Sequence, residues 1–427
     1  METPVANMAG HGQVLGRQTH GVCRFSAIPF AQAPVGPLRW RPPQRAQWSG
    51  TLRATDPGAI APQLPSRLRE AMGDFELDQS EDCLHLTVWT PAADDRRRPV
   101  VVWLHGGAWQ SGAGALDWYD GARLAAGGDL VVVAPNYRLG ALGWLHVPQE
   151  TANVGLLDQE LALRWVRSHI AAFGGDPQRI TVMGQSAGAM SAVCLLSRPE
   201  PVFQRMILQS TPFGNDQRPI VRSSANAARL SAVWLQALGV TSLEAARDVP
   251  VADLLQAQSA PELRAALQQE GAERPAFGPV ADGSVLAEDM ALHLPETAAR
   301  ADVLVGYTRD EMLAFPGAEP GPKSQATGDA LFGVPSHDWA RWARQAGRQA
   351  WGFRFDAGAT VRFGACHCIE LPFVFDTWTA FSQAPMLGDM NGDVAARLTH
   401  EVQQAWQAFI GGQSPGWEQA PDWRTFT

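Results

Sequence analysis

Two apolar rhythms alternate along the chain. Pro99 to Leu104 and Asp129 to Pro135 are short β-branched runs that stop at Gly, Asn or Pro, as strands buried on both faces do. Leu156, Leu157, Leu161, Leu163, Trp165, Val166 and Ile170 recur at helical spacing instead, and Gly174-Gly175-Asp176-Pro177 ends that helix. A strand from Arg179 to Gly184 follows, then a helix from Ala187 to Leu196, and further strands at Met206 to Gln209 and Ala301 to Gly306. This alternation predicts an α/β fold with a mostly parallel central sheet and helices on both faces, with chemistry at the C-terminal ends of the strands. Residues 212–300 break the rhythm: Ala225 to Leu238, Ser242 to Val249 and Val251 to Leu267 read as Ala-rich helices, a helical insertion. Pro316 to Ser336, rich in Pro and Gly, reads as loop.

Composition fits a chain with a large interior. Of 427 residues 45% are apolar and 18% charged, below the roughly 25% of an average globular chain. The net charge of −9 and the absence of a Lys/Arg cluster argue against nucleic-acid or anionic-membrane partners. Five cysteines at irregular spacing are no disulfide framework and read as free thiols in a reducing compartment. Met1 to His20 carries no basic stretch followed by an apolar run, and no run approaches the length of a membrane span, so a cytoplasmic location is expected.

Gly184-Gln185-Ser186-Ala187-Gly188 is a G-x-S-x-G pattern between a predicted strand and a predicted helix, the setting of a nucleophile elbow. Such a turn holds Ser186 in a strained conformation that pushes its hydroxyl out of the sheet, with a helix N-terminus beneath it. His105-Gly106-Gly107-Ala108-Trp109 follows the strand ending at Leu104 and leaves backbone N–H groups pointing outward. Acyl transfer needs such donors where the oxyanion forms, which makes Gly107, Ala108 and Ala187 the candidate oxyanion hole. A phosphate-binding loop is a poor reading, since no G-K-[ST] follows.

With these motifs the sequence resembles the type-B carboxylesterases and cholinesterases of the α/β-hydrolase superfamily over most of its length. Ala27-Ile28-Pro29-Phe30-Ala31, Pro34-Val35-Gly36, Leu38-Arg39-Trp40, Ser80-Glu81-Asp82-Cys83-Leu84, Asn136-Tyr137-Arg138 and Phe173-Gly174-Gly175-Asp176-Pro177 occur in the family's order. The resemblance implies one α/β-hydrolase catalytic domain over residues 1–427, with residues 212–300 as a cap or gorge wall. It also implies structural ion pairs between Arg138 and Asp176 and between Glu81 and an arginine near position 39.

Chain order in these hydrolases puts the histidine after the serine, and His293, His337, His367 and His400 qualify. His400 reads as solvated on a polar helix, His337 as a loop residue and His293 as part of the insertion. His367 precedes Ile369-Glu370-Leu371-Pro372-Phe373-Val374-Phe375, which resembles the family segment after its catalytic histidine. Its neighbours Cys366 and Cys368 lack a second ligand pair, so no metal site is expected. After the strand Val303 to Gly306 come Asp310 and Glu311, and the resemblance favours Glu311 as the acid with Asp310 as its rival. Ala61 stands where many relatives have a cysteine able to bridge to Cys83, and the interval from Glu311 to His367 and the end after Trp423 are short for the family. Together these imply a cofactor-free serine carboxylesterase for uncharged short-to-medium-chain esters, with Trp109, Trp118, Phe213 and Phe373 as candidate pocket walls. The alternatives are a serine hydrolase of amides or carbamates and a non-catalytic binding member of the fold.

Overall fold

A computed structural model describes residues 3–19, 21–215, 218–270 and 274–427. Met1, Glu2 and His20 of the N-terminal reading, and residues 216, 217 and 271–273 of the insertion, lie outside the described residues. The frame is a ten-stranded sheet. In chain order its strands are β1 (Arg17–Thr19), β2 (Val22–Pro29), β3 (His85–Thr90), β4 (Arg98–Leu104), β5 (Val131–Pro135), β6 (Gly175–Gln185), β7 (Arg205–Gln209), β8 (Asp302–Thr308), β9 (Ala350–Phe355) and β10 (Trp423–Phe426). Spatial order is β10-β9-β8-β7-β6-β4-β5-β3-β2-β1. From β5 to β10 every pairing is parallel, while β1, β2 and β3 add an antiparallel edge.

Alternation along β4 shows how the two faces are filled. Val100, Val102 and Leu104 join one buried cluster with the helices Val154–His169 and Ala187–Ser197, whereas Val101 and Trp103 join another with the helix Gly392–Ile410. A strand of apolar residues covered on both sides reads as a continuous hydrophobic run, and each such side chain contributes about 1.5–3 kcal/mol on burial. None of the described helices is long and apolar enough to cross a membrane.

The insertion contains helices Ser224–Ala237, Leu243–Ala246, Val251–Ala257 and Pro261–Gln269. The continuous helix expected over Val251 to Leu267 is thus two, because the chain leaves helical geometry before Pro261 and Pro261 starts a new first turn. Short ribbons accompany them: Gly214–Asn215 with Arg218–Pro219, and Arg222–Ser223 parallel to Val280–Ala281. Pro316 to Ser336 is largely helical rather than loop: Pro322–Gly328 runs through a π-turn at Asp329–Gly333 into Val334–Gln345. Pro322 sits in a first turn, where a missing N–H breaks nothing, so it marks a start and not an interruption, whereas Pro335 directly follows the π-turn within the same helical run.

Arg39 and Glu81 form the expected ion pair at 2.6 Å. Arg138 does not pair with Asp176. Its guanidinium meets Asp158 at 2.6 Å, and the Arg138 N–H donates to the same carboxylate at 3.0 Å. Asp158 lies fully buried on the helix Val154–His169, whereas Asp176 is half-buried and accepts from the N–H of Gln178 in a local turn. Cys83 is a buried free thiol, as are the other four cysteines.

Candidate active site

Ser186 follows β6 directly and has φ 54° and ψ −123°, a strained conformation for a residue with a Cβ. Its N–H donates to the Gln209 carbonyl at the end of the neighbouring strand β7 at 2.9 Å, which fixes the turn to the sheet. The glycines on either side are required by close approach. A Cβ on Gly184 would lie 2.5 Å from the Gly188 backbone, and one on Gly188 would lie 1.9 Å from the Leu104 carbonyl oxygen.

The loop expected to hold the oxyanion leaves β4 with three successive positive φ angles: 102° at Gly107, 56° at Ala108 and 59° at Trp109. Side chains at two of these positions make the conformation costly, and the loop is held by bonds from the N–H groups of Gln110 and Ser111 to the Gly107 carbonyl. Among the described residues no hydrogen bond uses the N–H of Gly107, Ala108 or Ala187. His105, stacked on Tyr137 at 4.2 Å, is buried and pushed down to about 4 by desolvation. It is therefore a neutral part of the scaffold.

His367 Nδ1 lies 2.5 Å from Glu311 Oε2, with both side chains buried. Glu311 Oε1 accepts the Thr308 N–H at 2.8 Å, so the carboxylate is anchored to the end of β8. Asp310, the rival, points elsewhere: its Oδ2 accepts from the N–H of Ala365 at 2.8 Å and from the Arg309 guanidinium at 2.7 Å. His293 sits in an exposed turn beside Asp289 and His400 is exposed on the helix Gly392–Ile410. His337 is on the helix Val334–Gln345, not in a loop, with its ring 3.8 Å from that of Trp423.

The other ring nitrogen, His367 Nε2, has the Gln185 amide nitrogen 3.1 Å away. Room for that amide exists because position 106 is glycine; a Cβ there would lie 2.5 Å from Gln185 Oε1. Phe315 and Phe332 flank the imidazole at 5.2 and 5.1 Å between ring centroids. Gln185, Phe315 and Phe332 were not singled out from sequence, although Gln185 lies inside the elbow motif itself.

Residues 2–324 match the Carboxylesterase family. The chain belongs to that family. It is therefore a carboxylic ester hydrolase on the α/β-hydrolase fold. The para-nitrobenzyl esterase of Bacillus subtilis (strain 168) is 36% identical over 97% of this chain and 91% of its own length. The phenmedipham hydrolase of Pseudarthrobacter oxydans is 35% identical over 99% of this chain and 93% of its own. A solved thermophilic para-nitrobenzyl esterase superposes with a TM-score of 0.86 at 32% identity, covering 98% of this chain and 92% of its own. The family match spans Ser186 and Glu311, while His367 lies beyond it.

Within this carboxylesterase the four expected wall residues differ in setting. Trp109 is buried, donates from Nε1 to Ser191 Oγ at 3.0 Å and packs on Trp144. Phe373 is fully buried between Phe355 and Trp378. Trp118 and Phe213 each retain 8% exposure, stacked on Phe381 and Trp339. Cys366 and Cys368 face the core, their thiols pushed up by burial.

Proposed function

We propose that this chain is a serine carboxylesterase that hydrolyses uncharged short-to-medium-chain esters through an acyl-enzyme on Ser186. The observation that carries this reading is the 2.5 Å contact of buried Glu311 with His367 Nδ1 beside the strained Ser186 turn. A proton on Nδ1 leaves Nε2 with a lone pair, the tautomer a general base needs. His367 takes the hydroxyl proton as Ser186 Oγ attacks the ester carbonyl. Glu311 stabilises the imidazolium so formed, and the N–H groups of Gly107, Ala108 and Ala187 meet the oxyanion. The alcohol leaves with the proton from His367, and water repeats the sequence on the acyl-enzyme. The hydrogen bond from Ser186 to His367 Nε2 forms as substrate binds and the Gln185 amide gives way, since catalytic hydrogen bonds are often completed only in the substrate complex. The chemistry needs no cofactor.

The partner in this reading is a small uncharged ester. Trp118 and Phe213 form walls of its pocket, Phe315 and Phe332 shield the imidazole, and Trp109 and Phe373 support from behind. The insertion at 212–300 is a gorge wall of a single catalytic domain. Free buried thiols fit a reducing, cytoplasmic setting.

A second reading, amide or carbamate hydrolysis, is favoured by one finding: the probable N-octanoylanthranilate hydrolase of Rhodococcus erythropolis is 37% identical over 92% of this chain and 90% of its own length. Matched ester, amide and carbamate substrates of one acyl group separate the two, with the ester expected to be fastest. Ser186→Ala and His367→Ala should each lower kcat by roughly a millionfold, with the double variant little worse, because the pair acts as a unit. Activity surviving Ser186→Ala, or fluorophosphonate labelling at another residue, overturns the assignment.

A further inference from the structure

A second buried carboxyl stands behind the triad and has no role in the reaction as described. Glu370 follows His367 by three residues and is 1% exposed. Its Oε1 accepts from Gln209 Nε2 at 3.0 Å, and Gln209 Oε1 accepts from Trp406 Nε1 at 3.2 Å. Gln209 is also the residue whose carbonyl receives the Ser186 N–H, so it joins the elbow to Glu370. Oε2 is buried without a hydrogen-bond partner. The ionisable groups that act on the carboxyl are Glu311 and His367; the thiols of Cys366 and Cys368 and the Tyr119 phenol face it as neutral groups.

An ionised Glu370 would place a second negative charge beside Glu311 in a water-poor interior, with one oxygen unsolvated. Burial first, and Glu311 second, push its carboxyl up to about 7.

We propose that Glu370 is a neutral carboxylic acid in the resting enzyme and a positioning residue for the triad, acting on His367 through charge and on the elbow through Gln209. The inference rests on the esterase reading of Ser186, His367 and Glu311. With Glu370 neutral, Glu311 is the one anion the imidazole meets. When the Glu370 proton leaves to solvent at higher pH, the second negative charge favours the imidazolium that forms as the serine attacks.

The test is the pH profile of kcat/KM on p-nitrophenyl acetate. The native enzyme should rise in two steps, the upper one near neutral pH and worth about threefold or more. Glu370→Gln, which mimics the neutral acid, should rise in one step. Two steps in Glu370→Gln, or a single step in the native enzyme, overturn the proposal. Should Glu370→Gln not fold, Gln209→Met decides: loss of the donor to Oε1 must move the upper step to higher pH, and an unmoved step counts against the proposal. A protonated-carboxyl infrared band at about pH 6, absent from Glu370→Gln, reads the same group without any ester. That band separates the two failures: its absence refutes neutral Glu370, while a Ser186 that no fluorophosphonate labels refutes the esterase reading alone.

Discussion

The side-chain nitrogen of Gln185 lies 3.1 Å from Nε2 of His367, so the lone pair proposed to receive the Ser186 proton is met, at rest, by the residue preceding that serine. A neutral donor at this place fixes the imidazole as the Nδ1–H tautomer without adding charge. Yet it also competes with the Ser186 hydroxyl, and the amide must yield when Nε2 becomes protonated.

Replacement of Gln185 by glutamate changes the sign of this contact. A carboxylate there favours the charged imidazolium, which raises the pH needed to obtain the neutral base. For Gln185→Glu the acid limb of the kcat/KM profile should therefore move to higher pH by about one unit, with the loss of rate largest at the acid end. A limb that stays in place or moves to lower pH would show that the 185 side chain does not face the imidazole during turnover.

In the proposed mechanism the neighbouring carboxylates Asp310 and Glu311 have separate duties. Glu311→Gln removes the charge that stabilises the imidazolium and should lower kcat by about ten-thousandfold while the protein remains folded. Asp310→Asn instead weakens the contacts to Ala365 and Arg309 that hold the histidine loop, so its main effect should be on Tm. A reversed ranking in kcat would transfer the role of the acid to Asp310.

How far the chain could be read in advance varies with the range of the interaction. The elbow and the proposed oxyanion loop were legible because their demands are local: a positive φ or a close approach selects small residues at fixed offsets, as at Gly184, Gly188 and Gly107. Strands β4, β5, β6, β7 and β8 were visible as apolar runs because they are covered on both faces. Arg138 could not be paired from sequence, since no local pattern distinguishes Asp158 from Asp176 and only the packing of the helix Val154–His169 decides which one is buried beside it. The helix after Pro322 was hidden by its own start signal. Contacts of His367 with Gln185, Phe315 and Phe332 join three distant stretches of chain, which no local pattern records.

The Arg138–Asp158 pair gives a stability test. Both side chains are buried, and Asp158 accepts three bonds from Arg138 between 2.6 and 3.0 Å. Asp158→Ala strands the guanidinium without its counter-charge and should cost about 3–5 kcal/mol in urea unfolding. Asp176→Ala loses only a local turn bond and should cost less than about 1 kcal/mol. Equal losses would mean that the two carboxylates share the arginine in solution.

Selectivity among esters must come from the pocket, because backbone oxyanion donors recognise any acyl carbonyl. The aromatic groups proposed to shape it, Trp118, Phe213, Phe315 and Phe332, carry no charge, and neither the elbow nor the oxyanion loop contains an arginine that could meet a substrate carboxylate. An apolar pocket gains about 0.8 kcal/mol for each methylene it buries. Across p-nitrophenyl esters kcat/KM should therefore rise from acetyl to butyryl by up to about tenfold and fall once the pocket is filled. Esters whose acyl part ends in a free carboxylate should be poor substrates, since desolvating that charge without a partner is costly and the net charge of −9 repels anions at low salt. Faster turnover of carboxylate-bearing esters than of neutral isosteres, or rates that keep climbing beyond about ten acyl carbons, would require a different pocket from the aromatic one proposed.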